Sequence, residues 1–253
     1  CKTPPSLANT SLNGTDLGQI TVPKGCADAY RAAKNWVKYA NCIVEGRTAG
    51  LYDGRDGTLL TDWATLVSDG RIVVEEARLL RVDADLSGML LVADGITGIA
   101  KDAFSGCTAL CGIELPVSVT AIEQNPFRLC DALQYVSVHE NNASYAIVGQ
   151  SLVDLECKKL IAALGAAEIP ADGSVTAIGA YAFYGSDIQR LVIPAAVTEI
   201  DAYAFANCRQ LSEIVADAAH PIYHTQDNCL IATASKTVVL GCRTSVLPQN
   251  QSV

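Results

Sequence analysis

The chain has 253 residues, half of them hydrophobic but only 6% aromatic, so its core must be built mainly from Val, Ile, Leu and Ala. Its formal net charge of -9 argues against a nucleic-acid partner, because phosphate backbones attract clustered Lys and Arg. No run of roughly 18 or more apolar residues occurs, which excludes a transmembrane helix from this sequence.

The first segment, residues 1–46, carries one strand pattern and one helix pattern. LGQITVP (17–23) has apolar residues at the spacing of a short strand and ends in proline. The stretch that follows, KGCADAYRAAKNWVKYANCIVEG, places Tyr30, Ala33 and Trp36 at helical spacing. It predicts an amphipathic helix that can cover an exposed apolar edge.

Residues 47–95 form a less regular segment. GLYDGRDGTLLTDWATLVSDGRIVV predicts a short helix near Trp63–Val67, followed by strands as far as Val92. Asp53 and Asp56 lie in a Gly-rich turn, but the alternating Asp/Asn ligands and the closing Glu of a calcium loop are absent. We interpret the segment as the opening cap or linker of a repeat array, with no bound metal.

Residues 96–253 contain four copies of one template of about 22 residues. In each copy an Ile is followed five residues later by Phe, and then by a Leu-x-x-Ile-x-Ile pattern. The alternating end predicts a short strand, and the Ala-Phe stretch suits one helical or 3-10 turn on the opposite side. One coil cannot bury its own apolar face, so stacked coils must share a core. The phenylalanines expected in that core are Phe104, Phe127, Phe183 and Phe205.

A longer period contains these coils. Shifting the sequence by 78 residues lays Tyr145 on Tyr223 and continues without a gap. Within this unit, two apolar stretches around a polar turn predict a β-hairpin inserted between coils, at about 141–170 and again at about 219–248. The predicted fold is therefore a solenoid with a short strand and a short turn per coil, interrupted by β-hairpins.

The repeat residues resemble the BspA-type leucine-rich repeat, a class common in surface proteins of gut and oral bacteria and present in some parasitic protists. The resemblance covers residues 96–253, and it implies a leucine-rich-repeat solenoid exposed outside the cell or on its surface. It also implies that residues 1–46 are the last strand and closing helical cap of a preceding array. Cys1 then lies where a strand should already be under way, and Val253 opens a new Val-Thr repeat.

Several of the ten cysteines occupy one slot of the repeat, three residues after the Phe. A residue that recurs at such a slot is normally a small buried hydrophobe, so most cysteines are expected to be free thiols. A serine fills the same slot in one copy, which would not be possible if the cysteine at this slot were needed for a disulfide. The slot residues are Cys107, Cys130, Ser186 and Cys208.

Cys229 and Cys242 stand on the two arms of the second predicted hairpin. A turn at residues 233–236 would place residue 229 opposite about residue 239. We therefore expect no disulfide between them, because a bridge requires the two residues to face each other.

The sequence offers no constellation for catalysis or metal binding. His220 and His224 are four residues apart, but Pro221 prevents the shared helix face that a His-x3-His metal pair needs. His139 ends a repeat strand and is expected to face solvent. Neither a G-x-S-x-G nor a G-x-x-x-x-G-K motif occurs. We expect no cofactor and no enzyme activity, since catalytic residues would have to lie outside this sequence.

The outward side chains of the repeat strands remain as candidate binding residues. Ile113 and Leu115 are expected to point into the core, so their neighbours point out on the concave side, where horseshoe repeats usually meet partners. The row is mixed in charge and fits a protein or a glycan. The candidate residues are Gly112, Glu114, Tyr135, Ser137, His139, Arg190, Val192, Glu213 and Val215.

Two functions are compatible with this sequence. The first is a non-catalytic extracellular interaction module, for example an adhesin, that binds a host or bacterial surface protein or a glycan. The second is a structural spacer, in which the solenoid only displays other domains. A spacer predicts that removal of one 78-residue unit in register leaves function intact, whereas an interaction module predicts its loss.

Overall fold

Two compact units make up the chain, Cys1–Thr48 and Ala49–Val253. The expectations placed on Cys1, Trp36 and Val253 lie outside the residues that the structure describes. The structure is a computed structural model that describes residues 20–22, 27–33, 43–45, 47–165 and 167–247.

The first unit contains β1 (Ile20–Val22), α1 (Ala27–Ala32) and β2 (Ile43–Glu45). β1 lies within the strand predicted in LGQITVP, and it pairs in parallel with β2. α1 lies at the start of the predicted amphipathic helix. The rest of that helix prediction falls outside the described residues.

In the described part of the second unit, the regular elements are short strands and one short helix, joined by turns. Its one described helix lies where the sequence predicts a helix, near residues 63–67. In chain order the elements are β3 (Gly50–Tyr52), β4 (Leu59–Asp62), α2 (Trp63–Ser68), β5 (Ile72–Glu75), β6 (Arg78–Val82), β7 (Ser87–Leu91), β8 (Gly98–Ile99), β9 (Ala109–Leu115), β10 (Ala121–Ile122), β11 (Tyr135–Val138), β12 (Tyr145–Val148), β13 (Ser151–Asp154), β14 (Lys159–Ala163), β15 (Ala177–Ile178), β16 (Arg190–Ile193), β17 (Glu199–Ile200), β18 (Glu213–Ala216), β19 (Tyr223–Gln226), β20 (Cys229–Ala232) and β21 (Thr237–Gly241).

The Leu-x-x-Ile-x-Ile segments form a first parallel ladder, as the alternation predicts. β7, β9 and β11 pair in consecutive coils, and β16 pairs with β18 farther along the chain. Their alternate side chains enter the core, where Ile113, Leu191 and Ile214 are buried. β3 and β4 extend the first of these sheets by antiparallel pairing.

A second parallel ladder runs through the Ile that precedes each Phe. β8 pairs with β10, and β15 pairs with β17. The hairpin strands β6 and β14 continue this ladder by pairing in parallel with β8 and β15. Coils that are not separated by a hairpin insert are therefore attached to each other by two sets of backbone hydrogen bonds, which makes these neighbours depend on one another.

The Ala-Phe segments form the expected turn, but a left-handed residue keeps that turn from becoming a helix. Asp102, Tyr181 and Tyr203, each three residues after the repeat Ile, have φ angles of 61°, 60° and 61°. A right-handed helix cannot continue through such residues. The turns instead bond from coil to coil, and the N–H of Phe183 donates to the carbonyl of Ala204 at 2.8 Å.

The four repeat phenylalanines are buried, as predicted. The rings of Phe104 and Phe127 have centroids 5.3 Å apart, and those of Phe183 and Phe205 are 5.0 Å apart. Each pair joins two neighbouring coils. The core is divided into two apolar clusters, one containing the first pair and one containing the second.

Another repeat slot, two residues after each Phe, also has left-handed backbone geometry. The slot contains Gly106, Leu129, Gly185 and Asn207, with φ angles of 81°, 59°, 70° and 63°. A Cβ on Gly106 would meet no atom within 4 Å, so replacing it costs only backbone strain.

We therefore expect Gly106→Ala to lower the free energy of unfolding by about 1 kcal/mol, because only glycine adopts this conformation freely. Gly106→Asn should cost less than Gly106→Ala, since asparagine tolerates the left-handed region and Asn207 already occupies this slot. Urea denaturation of the two variants checks the order. Equal stability of the alanine variant and the wild type would show that the left-handed backbone at residue 106 is not strained by a side chain.

The β-hairpin insertions are present, and each has one more strand than the sequence indicates. β12, β13 and β14 form one antiparallel set, and β19, β20 and β21 form the second. β5 and β6 form a similar β-hairpin in the segment that we expected to be irregular. In all three hairpins the register shifts at the same place. The shift lies between the second and third residues of β5, of β13 and of β20. The first copy is hard to find in the sequence because its turn has two residues, where the other two turns have four.

The expected register of the second hairpin is wrong by two residues. Cys229 lies opposite Gly241 and not opposite residue 239. The turn pairs Ala232 with Thr237, which already places Cys229 opposite residue 240, and the bulge between Leu230 and Ile231 adds one more residue to the facing strand. Cys242 therefore lies next to the partner of Cys229. Both are free thiols, and the Cys242 thiol contacts the Asn228 carbonyl at 3.7 Å.

Candidate functional site

The candidate residues project from the first ladder in two register-matched patches. In the first patch Gly112 lies opposite Tyr135, and Glu114 lies opposite Ser137. In the second patch Arg190 lies opposite Glu213, and Val192 lies opposite Val215. We call the complete set the ladder face, defined by Gly112, Glu114, Tyr135, Ser137, His139, Arg190, Val192, Glu213 and Val215.

The first patch is organised by the ring of Tyr135. A Cβ on Gly112 would lie 2.5 Å from Cε1 of Tyr135, so glycine at this position leaves the space that the ring occupies. The Tyr135 hydroxyl donates to Sδ of Met89, and the side chain therefore spans β11, β9 and β7. It is still 40% exposed. A large amphipathic side chain held in one place is the kind of residue that anchors protein interfaces.

Sequence reasoning missed two members of this row, Tyr52 and Met89. The register places Tyr52 opposite Met89, and Met89 opposite Gly112. Both are buried. They support the row from strands in the segment that we interpreted as an irregular cap, and only the strand pairing identifies them.

The second patch combines an ion pair with two valines. Nε of Arg190 lies 3.0 Å from Oε2 of Glu213, and both side chains are about half exposed, at 55% and 51%. A pair so exposed contributes little to stability, because water screens it. Val192 is 40% exposed and Val215 is half-buried. The patch therefore presents an apolar centre beside paired charges.

The two patches belong to separate sheets. β11 ends one sheet, whereas β16 pairs in the described part of the chain only with β18, and the strands β12–β14 intervene in the chain. His139 follows β11 directly and is exposed, as expected. Its Nδ1 accepts the N–H of Asn141 at 3.2 Å, a local turn contact. The structure thus brings together neighbours within each patch and gives His139 no catalytic partner among the described residues.

The repeated cysteine slot has a role that goes beyond burial. The Cys130 thiol donates to the carbonyl of Phe104, and the Cys208 thiol donates to that of Phe183, each at 3.0 Å. The Ser186 hydroxyl makes the equivalent bond, at 2.7 Å to Gly165. The slot therefore favours a small side chain that can donate a hydrogen bond to the segment before its coil, which explains why both cysteine and serine occur there.

The slot thiols are poor nucleophiles. Burial raises the pKa of Cys107 to about 11, that of Cys130 to about 12 and that of Cys208 to about 11. The thiolate is the reactive form of cysteine. These side chains therefore stay protonated near neutral pH and act as structural donors.

The remaining polar motifs make local bonds. Asp53 and Asp56 each accept an N–H two residues along the chain, from Arg55 at 2.7 Å and Thr58 at 2.9 Å. These bonds are typical of Asx turns. Among the described residues, no group of three His, Cys, Asp or Glu side chains is placed to hold a metal ion.

A cluster of aromatic side chains lies outside the ladder face, at the junction that follows the first hairpin insert. The Arg128 guanidinium lies 4.5 Å from the Tyr181 ring centroid and 5.4 Å from that of Tyr184. Its Nε lies 3.0 Å from the Asp102 carboxylate. Tyr203 stacks on Tyr181 at 5.5 Å. The cluster connects turns of successive coils.

Parallel ladders, stacked phenylalanines and an outward row of side chains define a repeat solenoid of the leucine-rich class. The model of the BspA-type leucine rich repeat region matches six copies, at residues 89–153 and 162–250. The chain therefore belongs to the BspA-type leucine-rich repeat family. None of the curated proteins compared with the chain matches it.

Three solved structures are similar to the chain, each at 20% sequence identity. A leucine-rich repeat protein from Eubacterium ventriosum has a TM-score of 0.42 and covers 53% of this chain and 43% of its own. The pneumococcal vaccine antigen PcpA has a TM-score of 0.44, with coverage of 68% and 44%. A leucine rich cell surface protein from Faecalibacterium prausnitzii has a TM-score of 0.39, with coverage of 83% and 50%. The chain spans half or less of the length of these proteins.

The helices in the described part of the chain are too short to cross a membrane. α1 and α2 have six residues each.

Proposed function

We propose that the chain is a non-catalytic interaction module of a cell-surface or secreted protein, and that the ladder face contacts its partner. The partner is a host or bacterial surface protein or a glycan. The observation that carries this proposal is the pair of patches around Tyr135 and Val192, whose side chains are exposed although the ladder holds them in fixed positions. In the same proposal, residues 1–46 close a preceding array, residues 47–95 open the next one, and residues 96–253 form its repeats.

Two further observations support an interaction module. The family is one of stacked repeats, an architecture that offers an extended surface with one set of outward residues per coil. The thiols of the repeat slot are unsuited to nucleophilic catalysis, because burial holds Cys107, Cys130 and Cys208 protonated. The net charge of -9 favours partners with neutral or basic surfaces.

The test is a binding panel of purified host matrix proteins and glycans, measured by surface plasmon resonance at low and physiological salt. We expect at least one partner to bind the wild type. Val192→Lys and Tyr135→Ala should each weaken that binding at least about tenfold, because both alter the exposed centre of a patch.

Matched controls come from the same chain. Val238 is also 40% exposed, and Tyr203 is 68% exposed, but neither belongs to the ladder face. Val238→Lys and Tyr203→Ala should leave affinity within about twofold. A panel with no binding, or an equal loss in all four variants, would overturn the proposed ladder face and favour the spacer.

A further inference from the structure

β11 is an edge strand with one unpaired side. In the described part of the chain it pairs only with β9. Successive residues of a parallel strand direct their backbone groups to opposite sides. The N–H of His139 donates to the Leu115 carbonyl on β9 at 2.9 Å, so alternate residues before it also face β9. The N–H and C=O groups of Val136 and Val138 therefore point away from β9.

In the second copy of the 78-residue unit, a side-chain hydroxyl accepts a hydrogen bond from the equivalent strand edge. Ala216 is equivalent to Val138, and its N–H donates to Oγ1 of Thr225 at 2.7 Å. Ile147 stands at the position equivalent to Thr225, and its side chain offers no acceptor. The N–H of Val138 therefore has no hydroxyl acceptor of the kind that the N–H of Ala216 has.

A groove of about 550 Å³ lies beside the open edge. Val138 contributes to its lining from β11, and Ala146, Ile147 and Leu155 contribute from the hairpin. Leu155 is 43% exposed although it is apolar. The lining includes the acid Glu140 but neither Lys nor Arg. The groove has room for several apolar side chains and favours a neutral or basic occupant.

We propose that the open edge of β11 receives an extended peptide segment of a partner protein as an added parallel strand. The inference rests on the proposed function and names the kind of partner segment involved. The peptide backbone would pair with the groups of Val136 and Val138, and its alternate apolar side chains would fill the groove. Flanking residues would be neutral or basic, because Glu140 and the overall negative charge disfavour acids.

The probe is a synthetic octapeptide, IQRLVIPA, with the sequence of residues 188–195, which carries the repeat strand pattern and one basic residue. If Leu191 and Ile193 enter the groove, the N–H groups of Arg190 and Val192 face β11. N-methylation of the peptide at those two residues should lower affinity at least about tenfold, because it removes the donors. N-methylation at Leu191 and Ile193 should leave affinity within about twofold.

Amide hydrogen exchange of the whole chain, followed by NMR, locates the peptide. Saturating peptide should slow exchange at Val138 at least about tenfold and leave Ser137, which already faces β9, unchanged. Ile147→Thr should weaken binding about tenfold, because it supplies the acceptor that Thr225 supplies in the second unit. Absence of binding at about 1 mM peptide, or equal affinity of the two methylated peptides, would overturn the inference.

The two proposals fail in different ways. If a panel partner loses affinity with Val192→Lys but the chain does not bind the octapeptide, only the proposed edge-strand site is overturned. If the octapeptide slows exchange at Val138 but Val192→Lys does not weaken binding of the panel partners, only the proposed role of the ladder face is overturned.

Discussion

Replacing Phe183 with Ala is expected to lower the free energy of unfolding by roughly 3–5 kcal/mol. The ring is fully buried between coils and stacks on Phe205 at 5.0 Å. Its removal leaves a cavity that both neighbouring coils line, and backbone bonds between the turns hold those coils in place, which limits collapse into the space. Urea denaturation of the full chain measures the loss.

Two control variants separate a cavity effect from a general loss of apolar surface. Leu60 is 53% exposed, and Leu60→Ala should change stability by less than about 0.5 kcal/mol. Phe183→Leu should cost less than Phe183→Ala, since it leaves a smaller cavity. If Phe183→Ala is no more destabilising than Leu60→Ala, the stacked-coil core described here is wrong.

Replacing Asn142 with Ala is the second large expected loss, about 3 kcal/mol. The buried amide has five hydrogen-bond contacts, two to N–H groups at the start of the first hairpin insert and three to carbonyls of residues 116–119 before it. Its Oδ1 accepts from the N–H groups of Ser144 and Tyr145, both at 2.9 Å. Its Nδ2 donates to the carbonyls of Pro116 and Val119, both at 3.0 Å. An alanine would leave these backbone groups without their partner.

The second unit offers a matched comparison, because His220 occupies the position equivalent to Asn142. Its Nδ1 accepts from the N–H groups of Ile222 and Tyr223, at 3.1 and 3.0 Å. Its Nε2 is buried and has no hydrogen-bond partner among the described residues. The histidine therefore reproduces the acceptor half of the asparagine but not the donor half.

We accordingly expect His220→Asn to raise the free energy of unfolding by about 1 kcal/mol, since it supplies the missing donor and removes an unpaired buried nitrogen. Asn142→His, the reverse exchange, should cost less than Asn142→Ala. Thermal and urea unfolding of the three variants test the series. A destabilised His220→Asn protein would show that the two sites are not equivalent.

His220 also illustrates where sequence reasoning stopped short. The sequence excluded a metal pair with His224, because Pro221 intervenes, and it assigned His220 no other role. The ring is half-buried and accepts two backbone bonds at the start of the hairpin. The 78-residue period already placed it on Asn142, but the role of both residues depends on which backbone groups the folded chain brings to that point.

The sequence by itself determined the coils of this protein and much of its candidate binding face. The Ile-to-Phe spacing and the alternating strand pattern indicate which side chains must be buried. Because side chains alternate along a strand with a period of two, inward and outward residues can be assigned without reference to neighbouring strands. The four buried phenylalanines and the outward positions of Tyr135 and Val192 follow from that local rule.

Only the tertiary structure decided how the coils meet. The hairpin formed by β5 and β6 and the bulge that shifts the partner of Cys229 by one residue depend on strand pairing. The row formed by Tyr52, Met89 and Tyr135 depends on the register between strands far apart in sequence. The open edge of β11 likewise depends on what lies beside it, because a strand pattern is the same whether or not a neighbour is paired. Pairing between distant segments is set by hydrogen bonds and packing in the folded state, and the local alternation of residues does not encode it.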